Sequence, residues 1–273
     1  MPPSINSNLI ETENQYSKIK FDLQGGVLLQ WTLKDTNKDI FYNGFDERRS
    51  GVPILFPFAD NLVKGIYNHT GLEMLRHGFA RNLLWSLDRC SEGKIEACIS
   101  TEDLNDNMKQ AYPFDFVCKI CMDISKENVL EYKIKVSNKG EKTMAIAPGL
   151  HPYFNIDNSQ KNQLQIGGLS KFVAKDINWN SELPGGIYFE NPGTIKAFMP
   201  NGDKLEIIDA SVDADNRFSQ SVIWSQNIAF PDNNFICIEQ FTRPKNGLND
   251  DPILIPKVKN GLGLLNIFTN QNN

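Results

Sequence analysis

Phe116-Val117-Cys118-Lys119-Ile120-Cys121-Met122-Asp123-Ile124, then Ser125-Lys126-Glu127-Asn128, then Val129-Leu130-Glu131-Tyr132-Lys133-Ile134-Lys135-Val136-Ser137, decides the class of the fold. In the second run Leu130, Tyr132, Ile134 and Val136 alternate with Glu131, Lys133 and Lys135. That period of two belongs to a strand with one face buried and one face wet. The short polar segment between the runs predicts an antiparallel hairpin. Within the first run, the odd spacing of Cys118 and Cys121 sends the two thiols to opposite faces. With no second cysteine pair or neighbouring histidine, they read as small strand residues and not as a zinc or redox site.

Working outward, the same texture recurs. Upstream, Ile19 to Leu33 reads as two strands joined at Gly25-Gly26, and Ile40-Phe41-Tyr42 as a short third. Further strands are predicted over Leu83 to Leu87 and Lys94 to Ser100. The only helix-like interlude is Leu104 to Ala111, stopped by Pro113. Downstream come short strands at Thr143 to Ala147, Gln163 to Ile166, Phe172 to Ala174, Thr194 to Phe198, Lys204 to Ile208, Ser221 to Trp224, Phe235 to Phe241 and Leu262 to Phe268. Turn signals separate them: Leu183-Pro184-Gly185-Gly186, Asn191-Pro192-Gly193 and Pro200-Asn201-Gly202. Many short strands with almost no helix predict an all-β, antiparallel sandwich or barrel. No repeat or linker divides the 273 residues, so a single domain over 1–273 is expected, with 1–16 and 271–273 as loose termini.

Composition narrows the function. Net charge is −5, from 28 basic and 33 acidic residues, with no basic run, which disfavours nucleic acid or an anionic membrane as partner. No stretch is long and apolar enough for a membrane span, and the polar opening carries no signal-peptide pattern. Five cysteines, an odd number at open spacing, fit a reducing cytoplasm. A monomer is expected.

Three residues stand out chemically. There are only three histidines. His69 lies in the polar turn Tyr67-Asn68-His69-Thr70-Gly71 and reads as a solvated turn residue. His77 lies in Arg76-His77-Gly78-Phe79-Ala80-Arg81, where Gly78 allows close backbone approach to a ligand, the guanidiniums offer donors, and their charge favours a neutral imidazole. His151 lies in Pro148-Gly149-Leu150-His151-Pro152-Tyr153-Phe154, where the prolines and glycine place it at a rim or corner. Glu239 is a lone carboxylate in Phe235-Ile236-Cys237-Ile238-Glu239-Gln240-Phe241, with apolar company on both faces. Burial would raise its pKa and make it a proton acceptor, although a strand-end ion pair fits the pattern as well. Two imidazoles and a desolvated carboxylate suggest general acid/base chemistry. No serine nucleophile elbow, phosphate-cradling glycine loop or metal-binding histidine pair is present.

These motifs carry a resemblance. Gly51-Val52-Pro53-Ile54-Leu55-Phe56-Pro57, Gly65-Ile66-Tyr67, Arg76 to Arg81 with Trp85, Gly149 to Phe154, and Ile236-Cys237-Ile238-Glu239, in this order, resemble the aldose 1-epimerase (galactose mutarotase-like) family. The resemblance implies a large antiparallel β-sandwich whose concave face binds a pyranose, with no cofactor and no metal. It implies that Glu239 takes the proton of the anomeric hydroxyl while His151 protonates the ring oxygen. His77 would polarise the sugar, and Arg81 would bind hydroxyls or a phosphate. Arg76, Asn61, Tyr153 and Trp224 would complete the sugar contacts. Phe79 and Trp179 are further aromatic candidates, though most aromatics in such a fold are core.

The sequence also departs from the pattern. Many relatives carry an Asn-Arg pair after the proline-rich run, where this chain has Asp60-Asn61-Leu62, which weakens the likeness to the branch acting on hexose 6-phosphates. Arg76 is the substitute at hand. The substrate-binding aspartate of several relatives has Asp176 and Asp209 as candidates. The implied activity is interconversion of the α and β anomers of an aldohexose, free or phosphorylated. Its competitors are a non-catalytic sugar-binding or regulatory module and a sandwich-type glycoside hydrolase or lyase. The last requires a second close carboxylate, and the sequence shows no obvious one.

Overall fold

The hairpin forms as its alternation requires. In this computed structural model, which describes residues 4–6, 8–44, 49–180, 186–212, 217–226, 233–257 and 262–271, strands Phe116–Asp123 and Val129–Asn138 pair antiparallel, Cys118 opposite Val136 and Ile120 opposite Ile134. Leu130, Tyr132, Ile134 and Val136 are buried, whereas Cys121 sits on the opposite, wetter face from buried Cys118. The two strands are the middle of an eight-stranded antiparallel sheet. Its order is Gln165–Gly167, Thr194–Phe198, Lys204–Asp209, Leu262–Gln271, Val129–Asn138, Phe116–Asp123, Lys94–Ser100 and Ser86–Ser91.

A second, six-stranded sheet runs Ile187–Glu190, Gln220–Trp224, Phe235–Phe241, Gly149–Leu150 and Ile54–Leu55, with Tyr153–Asn155 also paired to Phe235–Phe241. The two sheets bury their facing sides in one hydrophobic cluster, to which the first gives Ile134 and Val136 and the second Ile223, Ile236 and Ile238. A five-stranded sheet from the N-terminal 39 residues adds Ile10, Ile19, Phe21, Leu28 and Trp31 to the same cluster. Strand Phe235–Phe241 is buried along its whole length because both of its faces are covered. Ile236 and Ile238 face the shared core, while Phe235 and Cys237 pack with Tyr153 on the other side, and Phe241 with Leu55, Ala59 and Val222.

Several expectations change. The described residues of the first sixteen are not a loose terminus: Ser4–Asn6 and Leu9–Glu13 are paired strands, and Ile10 is fully buried. Glu11 and Glu13 make the segment look polar, but they pair outward with Lys18, Lys20 and Lys34 while Ile10 and Thr12 turn inward. Gln271 likewise ends a strand. Ile40-Phe41-Tyr42 does not form a continuous strand, because Ile40 donates to Trp31 and Tyr42 to Tyr153, so the chain changes partner within three residues. Phe172 to Ala174 is a turn leading into a 3-10 segment, Ala174–Asp176, with Lys171 left-handed. The strand expected from Leu83 starts at Ser86. The helix is Asp106–Ala111, capped by the Asn105 side chain, which accepts the Met108 N–H. The turn at Leu183-Pro184-Gly185-Gly186 lies outside the described residues except for Gly186. Among the described residues no helix is long and apolar enough to cross a membrane.

Candidate active site

The six-stranded sheet brings three chain segments to one place. Register puts Tyr153 and Trp224 on either side of Cys237, and Val222 beside Glu239 one pleat further on. His151 follows the short strand Gly149–Leu150, and its N–H donates to the Pro53 carbonyl at 3.0 Å. Its imidazole stacks on Tyr153 at 4.7 Å between centroids and 10° between planes, and Trp224 meets it edge-on at 6.0 Å. His151 Nε2 stands 3.3 Å from Glu239 Oε2, in a pair whose side chains are only 7% and 5% exposed.

His77 approaches from the proline-rich side. It adopts the left-handed region at φ 67°, as does Asp60 at 64°, strain of the kind that accumulates where function fixes the backbone. The two residues lock each other: the His77 N–H donates to the Asp60 carbonyl at 2.8 Å, and the Asp60 N–H donates to His77 Nδ1 at 2.9 Å. Because Nδ1 accepts, the proton of the neutral ring sits on Nε2. The His77 and His151 rings lie 5.5 Å apart.

Asp60 is the site residue that sequence reasoning missed. Its buried carboxylate faces Arg76 at 3.6 Å and accepts the Tyr188 hydroxyl, so a second carboxylate does stand in the field of Glu239. The only sequence signal was its place at the end of an apolar run, where a carboxylate is out of character. Asp176 is instead exposed in its 3-10 segment, and Asp209 holds the Ser211 and Phe218 N–H groups.

Electrostatics follow from burial. Desolvation, reinforced by the Asp60 charge, holds Glu239 well above the usual carboxylate range, with Arg76 and Arg81 opposing. Burial, then the Arg81 and Arg76 charges, push His151 down to about 3. His77 is held well below its ordinary value by burial, then by His151, Arg81 and Arg76. Both shifts favour the neutral pair, a protonated carboxyl against a neutral imidazole, over separated charges, consistent with the cost of burying the latter.

This sets a pH dependence of stability. Below the unfolded histidine pKa of about 6.5, the unfolded chain takes up protons that buried His77 and His151 refuse, so stability falls as pH falls. Glu239 acts in the opposite sense: folded, it keeps a proton that the unfolded chain releases, so its contribution is lost as pH rises. Each group can contribute at most about 1.4 kcal/mol per pH unit. Glu239→Gln removes the opposing contribution, so its urea midpoint should drop more steeply than that of the wild type between pH 6.5 and 5. An equal or shallower drop would contradict the neutral pair.

The remaining expected residues have varied surroundings. Arg81 Nη2 donates to the Arg76 carbonyl at 3.4 Å, and Trp224 is half-buried on the aromatic side. Asn61 is tied through its carbonyl to the Asn246 N–H at 3.2 Å. Phe79 stacks in the core on Phe116, and Trp179 is buried with its Nε1–H on the Ala174 carbonyl, so neither lines the site. His69 is exposed and stacks on Phe114. Arg49, which sequence reasoning did not single out, acts electrostatically on Tyr153 and Cys237. Among the described residues no group of three His, Cys, Asp or Glu side chains is placed to hold a metal.

Comparison with known proteins bears on this geometry. A protein of Escherichia coli (strain K12) named "Putative glucose-6-phosphate 1-epimerase" is 30% identical over 215 residues, spanning 75% of this chain and 68% of its own. Plasmid protein LacX of Lactococcus lactis subsp. lactis is 28% identical over 155 residues, 54% of this chain and 50% of its own. Among solved structures, the Slr1438 protein from Synechocystis sp. PCC 6803 superposes with a TM-score of 0.79 at 20% identity over 99% of each chain. The galactose mutarotase related enzyme from Lactobacillus acidophilus gives 0.76 at 18% over 97% of each. At such identities the structures establish the fold, a galactose mutarotase-like antiparallel β-sandwich. The sequence pattern described as Aldose 1-epimerase matches residues 8–251, from the second strand to beyond Glu239. The chain belongs to the aldose 1-epimerase family.

Proposed function

We propose that the protein interconverts the α and β anomers of an aldohexose by acid/base-catalysed ring opening and reclosure. The observation that carries this reading is the buried His151–Glu239 pair at 3.3 Å, with His77 beside it. Opening breaks the C1–O5 bond: one proton leaves O1, another arrives at O5, and an aldehyde forms. Glu239 as carboxylate accepts the first, and His151 as imidazolium Nε2–H supplies the second. That charged pair and the neutral resting pair differ only by one proton moved across their shared contact. After rotation about C1–C2, reclosure uses the neutral form, with Glu239 returning a proton to O1 and His151 removing one from O5. The charge of the pair is the same throughout, which suits a site from which water is excluded. His77, with its proton on Nε2, donates to a sugar oxygen. Each proton passes directly between the sugar and a side chain, so the reading requires no cofactor.

A phosphorylated substrate is the second reading, favoured by the charges of Arg49, Arg76 and Arg81, whose fields reach the site's titratable groups. Guanidiniums are the natural partners of a phosphate dianion. Polarimetry of freshly dissolved α-glucose and α-galactose tests the first reading, and exchange NMR of glucose 6-phosphate the second. Acceleration above the spontaneous rate is expected in at least one arm. Saturable sugar binding without acceleration in any arm would replace the enzyme by a binding module.

A further inference from the structure

Lys161 is a lysine with no solvent exposure, and the proposed chemistry does not use it. It belongs to the 3-10 segment Asn158–Gln163, outside every strand of the site. Its Nζ donates to Asn158 Oδ1 at 2.7 Å, to Ser225 Oγ at 2.6 Å and to the Asn233 carbonyl at 2.5 Å. An ammonium has three N–H donors, and all three are used. Ser225 passes the link on, its hydroxyl donating to the Phe235 carbonyl at 2.9 Å. The same Nζ lies 5.8 Å from the Phe235 ring centroid, on the side of that ring available to a cation.

What this ammonium holds is the back of the active site. Ser225 follows Trp224 and Asn233 precedes Phe235 by two residues, so the clasp ties together the ends of the two strands that carry these rings. Trp224 packs on Phe235 at 5.6 Å and Phe235 on Tyr153 at 5.0 Å, and Tyr153 in turn is the platform for His151. We propose that Lys161 is a positioning residue: its threefold clasp on Asn158, Ser225 and Asn233 fixes the Trp224–Phe235–Tyr153 wall, and through that wall the plane of the His151 imidazole. Burying an ammonium is expensive, and burial draws this one down to about 8, against the opposing charges of Cys237 and Asp157. An apolar side chain would fill the same volume at less cost, so the ammonium is retained for the geometry it imposes.

The catalytic part of the proposal rests on the acid/base reading above, and the test separates the two. Lys161→Met keeps length and volume but deletes all three donors, and Asn158→Ala removes one acceptor at the half-exposed end, where water can replace it. Trp31, Trp85 and Trp179 are buried and Trp224 is half-buried, so acrylamide quenching of tryptophan fluorescence reports mainly on the wall and needs no turnover. Lys161→Met is expected to raise the quenching constant and to lower kcat about tenfold to a hundredfold, the scale set by misplacing a catalytic group by about an ångström, with KM moving less. Asn158→Ala should shift both in the same sense by less, and it decides the matter if Lys161→Met does not fold. Unchanged quenching in a folded variant overturns the proposal, and so does wild-type kcat with raised quenching. If the wild type turns over no sugar, the function reading falls and the clasp is judged by quenching alone.

Discussion

Glu239→Gln is expected to lower anomer interconversion by about a thousandfold, within the range that a positioned proton acceptor contributes. The amide matches the carboxyl in shape and can still hydrogen-bond to His151 Nε2 across the 3.3 Å contact, so packing is kept. What it cannot do is take the O1 proton. Substrate binding should survive, because the hydroxyl contacts assigned to His77 and the arginines do not depend on Glu239 ionising. The result sought is therefore a fall in kcat with KM nearly constant, measured by polarimetry alongside far-UV circular dichroism. A variant within tenfold of wild type would show that the O1 proton leaves by another route. Asp60 would then be the first residue to examine, because its carboxylate shares the field of Glu239.

The partners of Asp60 separate ring opening from a hydrolase-like reading. Glycosidic cleavage needs a second carboxylate, and Asp60 is a second carboxylate in the field of Glu239. It is, however, already engaged: Arg76 faces it, the Tyr188 hydroxyl donates to it, and its own backbone fixes His77. A carboxylate so held is better suited to bracing the imidazole and orienting Arg76 than to attacking an anomeric carbon. That distribution of partners favours ring opening, in which Glu239 and His151 move the protons.

How far the sequence reached depended on what local pattern encodes. The alternation of Leu130, Tyr132, Ile134 and Val136 made the central sheet legible, because a half-buried strand imposes that period directly. Glu239, His77 and His151 were legible because a carboxylate in an apolar run and histidines beside glycine or proline are out of place locally. Asp60 was not, because its importance comes from a contact with Tyr188, 128 residues away, which no local pattern records. Lys161 was hidden for the same reason, since its acceptors Ser225 and Asn233 lie on a distant hairpin. The N-terminal strands were misread because their outward glutamates dominate the composition while Ile10 and Thr12 turn inward between them. The short segment at Ile40 failed for lack of length, as three residues cannot reveal that their partners change.

Gly78→Ala is expected to be a strongly damaging single-methyl change beside the site. Gly78 has φ +71°, and a Cβ there would lie 2.2 Å from the Phe56 carbonyl oxygen and 2.6 Å from its carbon. These are backbone atoms, so no side chain can swing aside. Nor is that oxygen free to move, because it accepts the N–H groups of both Phe79 and Ala80. Placing a side chain in the left-handed region alone costs about 1–2 kcal/mol. With the clash added, a loss of about 4 kcal/mol is expected, the scale reserved for a defined steric fault. For a chain of this size that is a fall in Tm of about 10 °C. Gly71→Ala supplies the control, since Gly71 has nearly the same φ, +69°, with nothing within 4 Å of the added methyl. It should lose only the conformational part. The difference between the two variants then measures how firmly Phe56 is held against the His77 turn. Because His77 precedes Gly78 directly, Gly78→Ala should also lower kcat in whatever fraction still folds, whereas Gly71→Ala should not. Equal losses of stability in the two variants would mean that the Phe56 backbone yields, and that His77 owes its place to the Asp60 contacts alone.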